Sequence, residues 1–272
     1  MLRRIVCPAL AVAVAAAAAA VTVGTATGGA APPGSNAGPP YNFVTELKGQ
    51  LGTPPLKNQA MLIKTKHGYR YWTGQQNNHV VVKRVSGGLR FADTRTDRFK
   101  RRTPACDRKP TRRGIAAVCR IPSDISVARP LLVEVWPRLG DDYLNSSSLS
   151  ALFAVTMLGD KGRDVARFGA GPDFFNGFSS RDRVWGGGGN DWIRPGLGND
   201  AVVAGAGNDD VVGREGFDAL SGGSGQDRLW GGPGDDRLRA GAGVDFLLCG
   251  NGRDRATGGV VDRLARNCEL VN

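Results

Sequence analysis

The sequence contains only two histidines, His67 and His79, and it lacks two motifs that many hydrolases need. A zinc peptidase requires the pattern H-E-x-x-H, and a serine hydrolase requires G-x-S-x-G around its nucleophile. Neither pattern occurs in the 272 residues. Both histidines lie beside strand-like sequence rather than on one helix face, so ordinary surface or turn positions are expected for them. We therefore expect that this chain is not an enzyme.

Long apolar runs are also scarce, and the clearest one lies near the start of the chain. Arg3 and Arg4 precede an alanine-rich stretch from Ile5 to Val23, and small residues follow at Gly29–Ala31. A positive start, an apolar run and a small-residue cleavage site are typical of a secretory signal, here residues 1–31. A membrane anchor is the alternative, but a proline interrupts the run. We expect export by the Sec or twin-arginine route to the extracellular space, and no integral membrane segment in the mature chain.

Aromatic residues make up only 7% of the chain, while lysine and arginine outnumber the acidic residues to give a net charge of +11. The positive charges concentrate in residues 95–113, which we call the basic segment. A solvated loop is the simplest interpretation of this segment. Electrostatic attachment to an acidic cell-surface polymer or glycan, to anionic lipid or to nucleic acid is the alternative. Phe99 is the only aromatic residue in the segment, so we expect no specific nucleic-acid recognition.

Cysteine is infrequent, with five residues in the chain, of which Cys7 falls in the predicted signal. The remaining four form an even set, as expected for an exported protein with disulfides. Four cysteines allow three pairings. Proximity along the chain favours Cys106–Cys119 in the region before the repeats and Cys249–Cys268 near the C-terminus.

Glycine is abundant, with 40 residues, and aspartate recurs every nine residues over the second half of the chain. Such a fixed short period indicates a repeat architecture. We call this series the aspartate ladder, and its members are Asp164, Asp173, Asp182, Asp191, Asp200, Asp209, Asp218, Asp227, Asp236, Asp245 and Asp254.

Each repeat reads glycine, glycine, any, glycine, any, aspartate, any, apolar, any, and we number these positions 1 to 9. Residues 186–194, 222–230 and 231–239 fit the pattern fully. The apolar residue at position 8 predicts a short strand with one inward side chain. Two repeats would close one turn of a flattened coil, and its parallel strands would stack about 4.8 Å apart. The expected fold is all-β, a parallel β-roll preceded by a small β-rich capping region.

These repeats resemble the RTX-type, or haemolysin-type, calcium-binding nonapeptide repeat over roughly residues 159–268. The β-rich sequence before them resembles, more loosely, that of secreted actinobacterial calcium-binding repeat proteins. The resemblance implies several Ca²⁺ ions, each shared by loops eighteen residues apart and held by carboxylates and glycine carbonyls. The implied ligands are Asp173, Asp191, Asp209, Asp227 and Asp245 on one edge, Asp200, Asp218, Asp236 and Asp254 on the other, and Gly189, Gly207, Gly225 and Gly243.

The two edges differ in how well they keep the glycine pattern. Phe178, Ser180 and Arg214 interrupt the edge that begins with Asp164, whereas the loops of the other edge are cleaner. A coil that keeps its shape without metal is the alternative, because crowded carboxylates could be neutralised by arginines instead. The arginines placed directly after ladder aspartates are Arg183, Arg228, Arg237 and Arg255.

The predicted organisation has five parts. They are a signal peptide (1–31), a Gly/Pro-rich linker and mobile segment (32–60), a β-rich N-terminal region (61–137), the β-roll (138–257) and a C-terminal cap (258–272). Gly140, Asp142 and Leu144 have the spacing of a displaced repeat, so the coil is expected to begin before the ladder.

We expect a secreted calcium-binding protein whose β-roll is completed by Ca²⁺. An extracellular adhesion module that binds cell-wall material or a glycan is the alternative, and a polysaccharide-acting enzyme ranks below both. One predicted outer face is too apolar to be left bare, so we expect the N-terminal region, a partner or a glycan to cover it. Its apolar residues are Phe174, Trp192, Val212, Trp230, Phe246 and Leu248.

Overall fold

The computed structural model describes residues 56, 58–74, 76–258, 263–264 and 268–270. The predicted signal and most of the predicted linker and C-terminal cap lie outside the described residues. Across the described ranges, regular structure consists of β-strands, with no helix, which confirms the all-β prediction. No helix that could cross a membrane is found in this part of the chain.

The strands are short, and most are three to six residues long. In chain order they are β1 (Gln59–Lys64), β2 (Gly68–Trp72), β3 (His79–Val85), β4 (Gly88–Asp93), β5 (Arg98–Arg102), β6 (Cys106–Arg108), β7 (Ile115–Cys119), β8 (Leu131–Trp136), β9 (Tyr143–Asn145), β10 (Phe153–Leu158), β11 (Val165–Arg167), β12 (Phe174–Asn176), β13 (Arg183–Gly188), β14 (Trp192–Arg194), β15 (Gly196–Leu197), β16 (Ala201–Ala206), β17 (Asp210–Val212), β18 (Arg214–Glu215), β19 (Ala219–Ser224), β20 (Arg228–Pro233), β21 (Arg237–Ala242), β22 (Phe246–Asn251), β23 (Arg255–Thr257), β24 (Arg263–Leu264) and β25 (Glu269–Leu270).

Two large sheets form the two walls of a coil. The first sheet has eleven strands in the order β24-β22-β20-β17-β14-β12-β10-β8-β2-β1-β5. The second has twelve strands in the order β25-β23-β21-β19-β16-β13-β11-β9-β3-β4-β7-β6. Within the repeats each strand pairs in parallel with the strand eighteen residues later, as Ala201 does with Ala219. The result is a parallel β-solenoid of about seven turns over the repeat region, as the nine-residue period predicts.

The core is the column of position-8 side chains enclosed between the two sheets. These side chains are at most 2% exposed, and they include Phe175, Val184, Ile193, Val202, Val211, Leu220, Leu229, Leu238, Leu247 and Ala256. Burial of one such valine or leucine stabilises a fold by roughly 1.5–3 kcal/mol. We call one turn of the coil, with one strand in each sheet, a rung. Because each side chain is covered mainly by the rungs above and below it, one rung could not be stable alone.

The N-terminal strands continue both sheets instead of packing across them. β2 pairs in parallel with β8, and β3 pairs in parallel with β9, so these strands form an additional rung. Beyond that rung, β1 and β4 turn antiparallel and close the end of the coil. Tyr69, Tyr71 and Phe91 fill the interior there. The boundary between residues 137 and 138 stays a prediction, because both sheets run across it without a break.

Aromatic side chains on the outer face of the first sheet contact one another, but Phe246 stays 37% exposed. Phe174 and Trp192 contact edge to face with ring centroids 5.3 Å apart, and the Trp230 and Phe246 centroids are 6.4 Å apart. The Arg194 guanidinium lies 4.0 Å from the centre of the Trp192 ring. The described N-terminal strands extend the end of this sheet and do not lie over the face.

The glycines at positions 2 and 4 are required by backbone conformation. Gly205 and Gly207 have φ of 122° and 136°, a region that side chains other than glycine disfavour. Where glycine is replaced, the new residue keeps the conformation, as Phe178 (70°) and Arg214 (82°) do. A Cβ at Gly207 would lie 1.9 Å from the Gly189 carbonyl oxygen, so the glycine also permits close stacking.

Both predicted disulfides are confirmed. Cys106–Cys119 joins the paired strands β6 and β7 in the N-terminal cap. Cys249–Cys268 links β22 to the chain just before β25, at the C-terminal end of the coil.

Replacing glycines should separate the free-energy cost of a strained backbone from the cost of a steric clash between stacked loops. Gly87 has φ of 90°, but a Cβ added there would meet no other atom within 4 Å, so Gly87→Ala should lower the free energy of unfolding by about 1 kcal/mol. Gly207→Ala adds a backbone clash and should cost roughly 2–4 kcal/mol. Arg214→Gly should stabilise the fold by about 0.5–1 kcal/mol. Urea unfolding measures all three, and equal losses for the two alanine variants would contradict this account of the stacking.

Candidate metal sites along the aspartate ladder

The ladder aspartates form two columns, one along each edge of the coil. In each column the backbone N–H of an aspartate donates to the carboxylate Oδ1 of the aspartate eighteen residues later. These N···O distances are 2.7–2.9 Å from Asp164 to Asp254 on one edge and from Asp173 to Asp245 on the other. Loops eighteen residues apart are therefore direct neighbours along each edge, while the predicted sharing of an ion between them stays a prediction.

The second carboxylate oxygen, Oδ2, is buried and accepts no hydrogen bond from the described residues in most of the ladder. This is the case for Asp164, Asp182, Asp191, Asp200, Asp209, Asp218, Asp227, Asp236 and Asp254. A buried polar atom without a partner costs about 1–3 kcal/mol, and more when it is charged. So many equivalent oxygens without a partner fit the carboxylate ligands that a bound cation requires.

Five of these oxygens, on Asp182, Asp191, Asp218, Asp227 and Asp236, lie beside a position-1 glycine and a carbonyl of the next loop. At Asp200, Asp209 and Asp254 position 1 is occupied by Pro195, Ala204 and Cys249 instead. A Cβ on Gly186 would lie 2.4 Å from Asp191 Oδ2 and 2.3 Å from the Ala204 carbonyl oxygen. On the other edge, a Cβ on Gly213 would lie 2.4 Å from Asp218 Oδ2. The missing side chain thus leaves a cradle that is lined by oxygens from two successive loops.

Carbonyls of positions 2 and 4 also face the next loop of the same edge. The Gly187 oxygen faces Gly205 across the stack, and the Gly189 oxygen faces Gly207 in the same way. Calcium binds six to eight such oxygens in proteins. The predicted glycines at position 4 are therefore placed with their carbonyls toward the next loop. The position-1 carbonyls, such as that of Ala204, were missed by the sequence analysis because a backbone oxygen leaves no mark on residue type.

Side chains alone do not form a metal cluster in the described part of the chain. No group of three His, Cys, Asp or Glu side chains comes close enough to hold an ion there. Any site in these loops has to draw most of its ligands from the backbone, which is chemistry that suits Ca²⁺ better than Zn²⁺.

Burial makes the ladder carboxyls hard to ionise without a cation. Burial is the main cause that raises the pKa of Asp209 and of Asp218 to about 7 and that of Asp182 to about 9. Neighbouring aspartates of the same column raise these pKa values further. For Asp173 and Asp191 burial also places the pKa well above the usual range.

The arginines after the ladder aspartates do not neutralise the column. Arg183, Arg237 and Arg255 have exposed side chains. Arg228 forms a two-bond ion pair with Asp210 on the outer face of the first sheet. Within the described residues, the ladder aspartates other than Asp245 form no salt bridge. Arg214, which interrupts the glycine pattern, also has an exposed side chain, and its carbonyl keeps the stacked position against Gly232.

The aspartate ladder extends by one further turn before Asp164, its first regularly spaced member. Asp142 donates its N–H to Asp164 Oδ1 at 3.0 Å and accepts the Asn78 N–H at 2.6 Å on its own Oδ1. The displaced repeat at residues 140–144 therefore has the structure of a true rung. An insertion of four residues hides it from the nine-residue pattern.

The first rung is a neutral counterpart of the charged loops. Asn78 takes the place of the aspartate, Thr73 takes position 1, and Pro137 is position 1 of the next loop. The Thr73 hydroxyl lies 2.7 Å from Asn78 Oδ1 and 3.0 Å from the Pro137 carbonyl oxygen. The single hydroxyl proton can donate to one of these two oxygens at a time, so this loop has a side-chain donor at the place that position-1 glycines leave empty in other loops.

A family model described as the RTX calcium-binding nonapeptide repeat (four copies) matches this chain in five overlapping segments: 158–193, 176–211, 196–220, 212–247 and 221–256. The search of curated proteins and the search of solved structures each found no match. The family match confirms the resemblance seen in the repeats. The displaced rung at Asp142 and the neutral rung at Asn78 lie outside the matched residues.

The raised pKa values predict an unusual pH dependence for calcium-free protein. A carboxyl that binds its proton more tightly when folded stabilises the fold below the ordinary aspartate pKa of about 4, and that stability is lost as pH rises through the folded value. Stability in chelator should therefore fall as pH rises through about 6–9, the range of the raised pKa values. Thermal unfolding across this range measures the effect. Saturating calcium should remove or reverse the slope, and an identical profile with and without calcium would contradict the assignment.

Proposed function

With residues 158–256 built of RTX calcium-binding nonapeptide repeats, we propose that this chain is an exported protein whose coil is completed by several Ca²⁺ ions. The observation that carries the proposal is the series of buried Oδ2 atoms without a hydrogen-bond partner, five of which lie beside a position-1 glycine and a carbonyl of the next loop. The proposed ligands are the carboxylates and the position-4 glycines named in the sequence analysis, together with position-1 and position-2 carbonyls.

Calcium would act on folding, because the oxygens of a site come together only when two rungs stack. The free energy of binding then adds to the free energy of folding. Without a cation, ionised aspartates of one column would repel one another across a single rung spacing. We propose that a loosely ordered chain is exported and becomes a rigid coil where calcium is plentiful.

Two features support the proposed location outside the cell. Both disulfides require an oxidising compartment, and the predicted signal at residues 1–31 provides an export route. The repeats themselves are a structural element, and the proposal assigns them no catalysis.

Replacing two aspartates of one column should change the stability of the fold in opposite directions with and without calcium. Asp209→Asn with Asp227→Asn removes two buried charges, so the variant should unfold at the same or a higher temperature than wild type in chelator at about pH 8. In saturating calcium it should lose stability, because a ligand bound at one hundred times its dissociation constant stabilises a fold by about 2.7 kcal/mol per site.

The matched control is Asp97→Asn with Asp107→Asn, the same change at exposed residues of the N-terminal region. Circular dichroism and calorimetry with and without calcium provide the readout. If both double variants respond to calcium as wild type does, the ladder carboxylates do not hold the ion.

A further inference from the structure

The outer face of the second sheet carries a groove that the calcium sites do not use. The groove encloses about 580 Å³. Its floor is made of small side chains on β16 and β19, chiefly Ala201, Val203 and Ala219. Arg183 borders it on β13, and Arg237 borders it on β21. We call this feature the arginine groove.

The shape follows from the sequence of the repeats at position 7. Strand register stacks Arg183 on Ala201, Ala201 on Ala219, and Ala219 on Arg237. Two rungs with short side chains thus lie between rungs with long ones. With rungs spaced about 4.8 Å apart, the two bordering arginine columns stand roughly 14 Å apart at the backbone. The trough has room for a single extended chain.

The charge on this face is positive and unbalanced. Arg183, Arg237, Arg239 and Arg255 all have exposed side chains. None of them forms a salt bridge within the described residues. Glu269 on β25, one rung beyond Arg255, is the carboxylate nearest to them in the register. By contrast, the exposed Arg163 and Arg253 of the loops and Arg228 of the opposite face each have a carboxylate partner. Unpaired guanidinium groups around an uncharged floor complement an anionic ligand.

The side chains of the groove favour an anionic polysaccharide over a nucleic acid. Single-stranded nucleic acids bind where aromatic rings are free to stack on successive bases. Trp185 is the one aromatic side chain in the groove, and the Arg167 guanidinium already lies 4.5 Å from its ring centre. The alanine and valine floor presents aliphatic groups, which suit the C–H faces of sugar rings. Ser221 and Thr257 add hydroxyls for hydrogen bonds to a glycan.

We propose that the arginine groove binds a linear polysaccharide that carries carboxylate or sulfate groups. The chain lies across β16 and β19, and the guanidinium groups of the bordering rungs hold its anionic groups. This function rests on the proposed calcium-completed coil, because the register that forms the groove exists only when the rungs stack. It also gives four of the chain's positive charges a role on the coil, separate from the basic segment.

The test is calorimetric titration of the full mature chain, in saturating calcium and about 0.15 M salt, with short oligouronates and with sulfated oligosaccharides. Neutral oligosaccharides of matched length should show no binding. Arg237→Gln with Arg239→Gln should weaken binding about 100-fold, at about tenfold for each charged hydrogen bond lost. Ala219→Asp, which places a carboxylate on the floor, should weaken it at least as much.

The matched control is Arg112→Gln with Arg113→Gln, which makes the same charge change in the basic segment. Loss of binding in this control but not in the groove variants would overturn the proposal and assign the polymer to the basic segment. No binding by wild type, or equally tight binding of a single-stranded oligonucleotide in the groove, would also overturn it. Circular dichroism of each sample in calcium shows whether the protein is folded. An unfolded wild type would mean that the proposed calcium-completed fold fails, whereas a folded protein that does not bind would mean that the groove proposal fails.

Discussion

The hydrogen bond from the backbone N–H of one ladder aspartate to the carboxylate eighteen residues later holds successive loops of the coil in register. It places a carboxylate inside each loop, where burial raises its pKa and leaves its second oxygen without a donor. One charge of this kind would be a local defect. A column of them makes the edge of the coil depend on whatever neutralises it, so the same contact that sets the register also creates the need for protons or a bound cation there.

Glycine makes this arrangement possible in two ways. At positions 2 and 4 it adopts positive φ and lets the next loop approach within contact of its backbone, and at position 1 it leaves space beside the carboxylate. Arg214 shows that the conformation matters more than the residue, since it keeps both the positive φ and the stacked carbonyl while its side chain points to solvent. The apolar column inside the coil contains only one side chain from each repeat, so much of what fixes the fold lies in the loops.

The two ends of the coil are built differently from its middle. At the N-terminal end the coil has a neutral rung, in which the Thr73 hydroxyl lies within hydrogen-bond distance of Asn78 Oδ1 and the Pro137 carbonyl oxygen, and beyond it lie antiparallel strands and a disulfide. The outer faces differ as well. On the first sheet aromatic and charged side chains pair with one another, whereas on the second the arginines are left facing solvent.

The sequence by itself determined the repeat, the two edges and the inward position 8, because a nine-residue period with an apolar residue at a constant offset allows few other arrangements. It also located the aspartates that form the columns. It left three disulfide pairings open, and the structure decided for the two that proximity favoured. Tertiary structure decided what side-chain pattern cannot encode. Backbone carbonyls such as that of Ala204 contribute oxygens whatever residue carries them, and the rungs at Asn78 and Asp142 are separated from the ladder by insertions that break its period. The arginine groove likewise appears only when strands eighteen residues apart are stacked, since Arg183 and Arg237 are fifty-four residues apart in the chain and become neighbours across two rungs of alanine.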